Sequence, residues 1–200
     1  QSVEAYALNA ENDWEGLDLQ VAKAEAVILS DYGKGFVDDS MVERVLKKRS
    51  SASVIVALDP KPRRCLNHQG VDLLTPNRVE ALELAGLDKE DHASFPAERV
   101  CAAIHERSAP RFLAISLGDE GMMLSEEGEI GETIPTAARE VFDVSGAGDT
   151  VIATLTLALA SGCSFREAAI LANAAAGIVV GKVGTATTCA DEILTHLGEA

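Results

Sequence analysis

The chain is poor in positive charge, in aromatic rings and in long apolar runs, and each shortage removes a class of function. Seventeen Lys and Arg face 32 Asp and Glu, a formal net charge of −15 over 200 residues. A basic stripe able to follow a phosphate backbone or an anionic membrane surface is missing, which argues against nucleic acid and membranes as partners. The charge does not argue against a nucleotide, because a few backbone N–H groups and one metal ion outweigh a diffuse, screened field. The longest near-apolar stretch, Val151 to Ala160, has about half of the ~20 residues that a spanning helix needs. Gln1 to Leu19 is polar and acidic, without the apolar centre of a signal peptide. A start on Gln rather than Met leads to the expectation of a processed form or a fragment. Cys65, Cys101, Cys163 and Cys189 stand far apart, with no C-x-x-C pair and no His at zinc-finger spacing. They read as reduced thiols of a cytoplasmic protein. His68, His92, His105 and His196 have no partners at metal or triad spacing and are expected at the surface.

What is present suffices for a core: 47% of residues are hydrophobic, which excludes intrinsic disorder. Ala26 to Leu29 reads as a buried strand entering the loop Ser30-Asp31-Tyr32-Gly33-Lys34-Gly35, and Asp38 to Lys48 follows with helical spacing. Val54 to Leu58 is a second strand, closed by Asp59-Pro60, and Val71 to Leu74 a third, stopping at Thr75-Pro76. Asn77, with Glu80 three positions on, has the spacing of a capping box. Pro96 to Arg107 reads as a helix and Phe112 to Leu117 as a strand. Met122 to Leu124 and Ile130 to Ile134 flank the hairpin turn Ser125-Glu126-Glu127-Gly128. Small-residue helices are expected over about 146–161, 164–182 and 190–197. Buried strands separated by helices predict an α/β fold with a mainly parallel sheet and right-handed crossovers. No repeat or linker interrupts the chain, so residues 1–200 read as one domain.

The segment richest in chemistry is Asp143-Val144-Ser145-Gly146-Ala147-Gly148-Asp149-Thr150, which runs straight into an apolar helix. Small residues expose the first N–H groups of that helix, and its dipole favours an anion there. Asp149, in the first turn, has the placement of a general base for a hydroxyl beside a bound phosphate. A glycine-rich turn with an acid favourable to the dipole is the plainer alternative.

This segment resembles the C-terminal signature D-T-x-G-A-G-D of the ribokinase-like (PfkB) carbohydrate kinases, with Val144-Ser145 where two threonines are common. The resemblance implies a three-layer α/β/α fold. It makes Asp149 the catalytic base and the backbone of Gly146, Ala147 and Gly148 the anion hole. Asn77-Arg78-Val79-Glu80 matches the family's N-x-x-E motif, in which Glu80 holds a water of hydrated Mg²⁺ and Asn77 donates to a phosphate; capping alone also explains it. Ser116-Leu117-Gly118-Asp119-Glu120-Gly121 corresponds to the family's T-x-G-x-x-G loop, where Ser116 keeps the hydroxyl and Gly118 and Gly121 let the backbone approach ATP phosphates. Asn173 is placed beside the adenine by the same resemblance, with a locally bonded helix Asn as the alternative. K⁺ is implied beside Asp143 and the Ser145 carbonyl.

Asp31-Tyr32-Gly33-Lys34-Gly35, Asp59-Pro60-Lys61, Leu73-Leu74-Thr75-Pro76-Asn77 and Gly181 to Thr185 together resemble kinase domains that phosphorylate C1 of D-glycero-β-D-manno-heptose 7-phosphate. Lys34 and Lys61 are then phosphate contacts, or else solvated loop charges. The resemblance covers the later, nucleotide-binding part of such a domain. The first sugar-binding strand and the small β lid are not in the chain, so an exposed sheet edge and a homo-oligomer are expected. Another PfkB sugar kinase, or a non-catalytic nucleotide-binding fragment, remain the competing readings.

Overall fold

In the computed structural model, which describes residues 11–61, 66–88, 94–138 and 140–198, the apolar runs become strands and the polar punctuation becomes turns. The strands are β1 (Ala26–Ser30), β2 (Ile55–Asp59), β3 (Leu73–Leu74), β4 (Phe112–Ser116), β5 (Met122–Glu126) and β6 (Glu129–Ile134). The helices are α1 (Glu11–Lys23), α2 (Asp39–Lys48), α3 (Arg78–Ala85), α4 (Ala97–Ser108), α5 (Ala147–Ala160), α6 (Phe165–Val180) and α7 (Ala190–Gly198). One sheet carries the six strands in chain order, parallel from β1 to β4 and antiparallel from β4 to β6. Cys65 and His92 lie outside the described residues.

The period of two along each strand divides the interior into two cores. Val56 and Leu58 of β2, with Leu113 and Ile115 of β4, pack against α2, α3 and α4. Their neighbours Ile55, Ala57, Phe112 and Ala114 pack against α5 and α6 on the other face. Strands covered on both sides have no polar face to show, which is why these runs read as continuously apolar. Three layers, α/β/α, follow from this division. The Ala168, Ala169, Ala172 and Ala175 methyls of α6 are buried, and such small side chains bring that helix close to α5 and the sheet.

Local chemistry fixes the element ends. Asp38 caps α2 by accepting from the Met41 N–H, and Ser164 and Glu167 form a capping box on α6. The hairpin turns at Glu127 and Gly128, both with positive φ (50° and 86°), the twist that two-residue hairpin loops favour.

Two expectations change. Helix α1 was not legible in the acidic N-terminal stretch; it lays Trp14, Leu17 and Val21 against the first core, and Arg44 holds Asp18 at 2.6 Å while covering the Trp14 ring. The histidines are not a surface set either. His68 is buried, and His105 and His196 are half-buried. Burial pushes the His68 imidazole below its ordinary range, against the opposing pull of Asp39 and Asp31. Spacing along a chain carries no information about which loop the fold covers. At the sheet edge, β1 has one described neighbour, Ile28 is 40% exposed, and Leu157 on α5 is 69% exposed.

Gly121 supports a prediction. A Cβ there would lie 2.0 Å from the Ile134 carbonyl oxygen, at a φ of +94°, whereas at Gly118 (φ +71°) it would meet nothing within 4 Å. Gly118→Ala should therefore cost about 1 kcal/mol, the left-handed penalty alone. Gly121→Ala should cost clearly more, because backbone has to move as well. Urea midpoints of the two variants measure the difference.

Candidate active site

Parallel pairing delivers the polar ends of β1 to β4 to one edge. Ser30 pairs with Asp59 at the ends of β1 and β2, and Asn77, beyond β3, bridges to Ser116 at the end of β4. Against this edge stands the N-terminus of α5, where Gly146 takes a left-handed conformation (φ 83°) as the helix cap. Between them lies a cavity of about 770 Å³.

Most of the expected residues line it: Lys61, Asn77, Glu80, Ser116, Gly118, Gly121, Ala147, Gly148 and Asn173. Asp149 and Gly146 stand beside the lining, Asp149 directly after Gly148. Arg78 and Val79 do not reach the cavity. Arg78 pairs with Glu120 and covers the Phe95 ring, and Val79 faces outward at 42% exposure. The first turn of a helix points its N-cap and third residue one way and the residues between them another. Lys34 is exposed on the loop after β1 and is not part of the lining.

Asn77 accepts from the Val79 and Glu80 N–H groups through Oδ1, so its amide NH₂ is the group left to donate to a ligand. Glu80 accepts from the Asn77 N–H at 2.9 Å and from Lys61 Nζ at 2.6 Å. Lys61 also reaches Asp59 Oδ2 at 3.4 Å. Burial pulls the Lys61 ammonium down, but Glu80 and Asp59 more than offset this and hold it above its ordinary value. Asp59 is pushed up to about 6, chiefly by burial and further by the charges of Glu80 and Asp149, with Lys61 opposing. Two carboxylates around one ammonium make this position cation-favouring.

In the loop before α5, Asp143 and Ser145 are not part of the lining; there Asp143 accepts from the Ser145 N–H at 2.8 Å. The Ser145 hydroxyl and N–H, then the Gly184 N–H, hold its carboxyl below the usual range. Phe142 and Asp143 donate their N–H groups to the Val180 carbonyl, which fastens the loop before α5 to the end of α6. Asn173 donates from Nδ2 to the Pro135 carbonyl at 2.7 Å, tying α6 to the chain after β6. The Gly121 position is filled in the same way by segment 134–136, so that residue serves the packing of the wall, while the space over Gly118 is open.

Three contributors were not assigned roles from the sequence. Asp59 sits at the strand end where an acid before Pro60 was the only signal. Gly177 lets backbone at Ala137 and Ala138 approach to 3.0 Å of where its Cβ would be, and a lone glycine among alanines was the sign of a close contact. Tyr32 donates to Asp149 Oδ1 at 3.0 Å across 117 residues, a contact with no local signal at all.

The comparisons agree with this fold. The bifunctional protein HldE of Desulfatibacillum aliphaticivorans is 43% identical over 178 residues, 89% of this chain and 36% of that protein. HldE of Pectobacterium atrosepticum is 40% identical over 195 residues, 93% of this chain and 40% of the relative. The chain thus spans well under half the length of the curated relatives it matches. Among solved structures, ribokinase of Arabidopsis thaliana, complexed with ribose and ATP, superposes with a TM-score of 0.74 at 26% identity, covering 94% of this chain and 59% of that one. Phosphofructokinase-2 of Escherichia coli shares the fold at 18% identity, with a TM-score of 0.76 over 96% of this chain and 63% of that one. The pfkB family carbohydrate kinase profile matches residues 3–193; the chain belongs to that family.

Proposed function

We propose that the chain supplies the nucleotide site and the base for transfer of the ATP γ-phosphoryl group to a sugar phosphate. The acceptor we assign is the C1 hydroxyl of D-glycero-β-D-manno-heptose 7-phosphate, giving the 1,7-bisphosphate used for ADP-heptose and lipopolysaccharide core. The kinase reading is carried by one observation: Asp149 lies in the first turn of α5, directly after the Ala147-Gly148 wall of a nucleotide-sized cavity. Similarity to HldE proteins over most of the chain supports the heptose assignment.

In this reading Asp149 takes the proton of the acceptor hydroxyl as its oxygen bonds to phosphorus, and the bond to the ADP oxygen breaks. The N–H groups at Gly146 and Gly148, reinforced by the helix dipole, stabilise charge on the phosphoryl oxygens, whereas the Ala147 N–H donates to the Val144 carbonyl at 3.2 Å and must leave it to join them. Lys61, Asn77 and Ser116 bind phosphates, and the apolar wall at Val151 and Ala176, with Asn173, receives the base of the nucleotide. Mg²⁺ keeps most of its water and takes few carboxylates. The ammonium held between Asp59 and Glu80 supports a cation-binding role for this position; these two residues would hold Mg²⁺, which neutralises phosphate charge when bound. Asp143, kept anionic by Ser145 and Gly184, suits a K⁺ ion nearby. A cytoplasmic location, where ATP is available, and a homo-oligomer covering the β1 edge belong to the same reading. Among the described residues no helix is long and apolar enough to cross a membrane.

Three measurements test this. Asp149→Asn, made in the protein expressed from the whole reading frame, should keep its melting temperature and Mg-ATP affinity while losing at least ~10²-fold in turnover with heptose 7-phosphate. Wild-type turnover would remove Asp149 from the mechanism. Residues 1–200 alone should bind Mg-ATP more tightly than heptose 7-phosphate in calorimetry, and should sediment with concentration-dependent mass. A monodisperse monomer binding the sugar phosphate without nucleotide would relocate the acceptor site. The third concerns pH. Because folding raises Asp59 from 3.8 to about 6, the folded state holds more protons through that window. Its stabilising contribution is complete below about 3.8 and is lost as the pH rises through about 6. Asp59→Asn should accordingly raise the melting temperature at pH 8 and give no advantage at pH 3.5; an equal effect at both would refute the burial of that charge.

A further inference from the structure

The loop leaving β1 takes no part in the chemistry just described, yet it touches the base. Tyr32 Oη stands 3.0 Å from Asp149 Oδ1. A neutral phenol donates to a carboxylate, so this contact commits one oxygen of the base. Tyr32 is also the only side-chain hydrogen-bond partner of Asp149 among the described residues.

The root of the ring is fixed. Asp31 is buried, its N–H donates to the Asp59 carbonyl at 3.2 Å, and its Oδ1 accepts from the Gly33 N–H at 2.8 Å. Val37, at the far end of the loop, is buried as well, and positive φ at Gly33 and Gly35 turns the chain between the two anchors. The phenol therefore starts from a set point beside the carboxyl end of β2, while its ring, 63% exposed, remains open to an arriving ligand.

We propose that Tyr32 is a positioning residue for Asp149: it holds Oδ1 so that Oδ2 faces the acceptor hydroxyl. The inference rests on the reading of Asp149 as the base. An aspartate in an exposed first turn has several rotamers open to it, and tying one oxygen across the fold removes that freedom before the acceptor arrives. The acceptor's proton then goes to Oδ2, and the phenol keeps its own. With its hydroxyl on Oδ1, Tyr32 also bars an acceptor from approaching along that side.

Tyr32→Phe retains the ring and deletes the hydroxyl. In the protein from the whole reading frame, with heptose 7-phosphate as acceptor, turnover should fall about tenfold, the scale of a hydrogen bond to a charged group. KM for Mg-ATP and the melting temperature should not move. Placed on Asp149→Asn, the same change should produce no further loss, since no carboxylate is left to hold. Wild-type turnover in Tyr32→Phe would overturn the proposal. So would an equal loss in both backgrounds, or a loss confined to KM for the sugar phosphate. Full activity of Asp149→Asn by itself would instead overturn the assignment of the base.

Discussion

The parallel register of β1 to β4 sets where every polar group of the cavity stands. Ala26 pairs with Ile55, Ala57 with Leu73 and Leu73 with Phe112, so the strands run in step and their carboxyl ends open on one edge. Loops leaving that edge carry Tyr32, Lys61, Asn77 and Gly118. Crevices beyond the carboxyl ends of such strands are where α/β folds take ligands. The register is itself locked by the two cores, because a slip of one residue would exchange the sides of Val56 and Ala57, and of Leu113 and Ala114. Leu58, Leu73 and Leu74 are fully buried, which leaves no face on which such a slip would go unpunished.

Electrostatics then divides the site. The chain is strongly acidic, yet the cavity brings together one ammonium, several backbone N–H groups and the positive end of α5. Asp59, Glu80 and Asp149 crowd the same region, and the rise of Asp59 to about 6 is the result of burial and of those neighbours. In the proposed function, an incoming triphosphate with its cation would compete for Lys61 with the two carboxylates that now hold it. The site thus keeps its charges mutually satisfied without ligand, at the cost of one carboxyl that ionises reluctantly.

The walls are built by backbone approaching backbone. Gly121 and Gly177 both give room to the chain after β6, and Asn173 fastens that chain through the Pro135 carbonyl. A residue that looks like a ligand contact in a motif can therefore be a spacer: Gly118 has open space above it, whereas Gly121, three residues on, is filled. Arg78 and Val79 show the same lesson on a helix, where neighbours in sequence point in different directions.

By itself the sequence determined the strand order, helices α2 to α7, the α/β class, the capped start of α3 at Asn77 and Glu80, and the Gly-Ala-Gly turn before Asp149. All of these rest on interactions within a few residues: alternation, helical spacing, caps and glycine conformations. Helix α1 escaped because its apolar residues are sparse and its surroundings acidic, so its stability comes from contacts with α2 that no local pattern announces. Tertiary structure alone decided that His68 is buried, that Asp59 is a reluctant acid, and that Lys61 bridges two carboxylates. It alone placed Tyr32 on Asp149. Those properties depend on which loops meet at the sheet edge and how much water they exclude, quantities set by pairings between distant segments rather than by spacing along the chain.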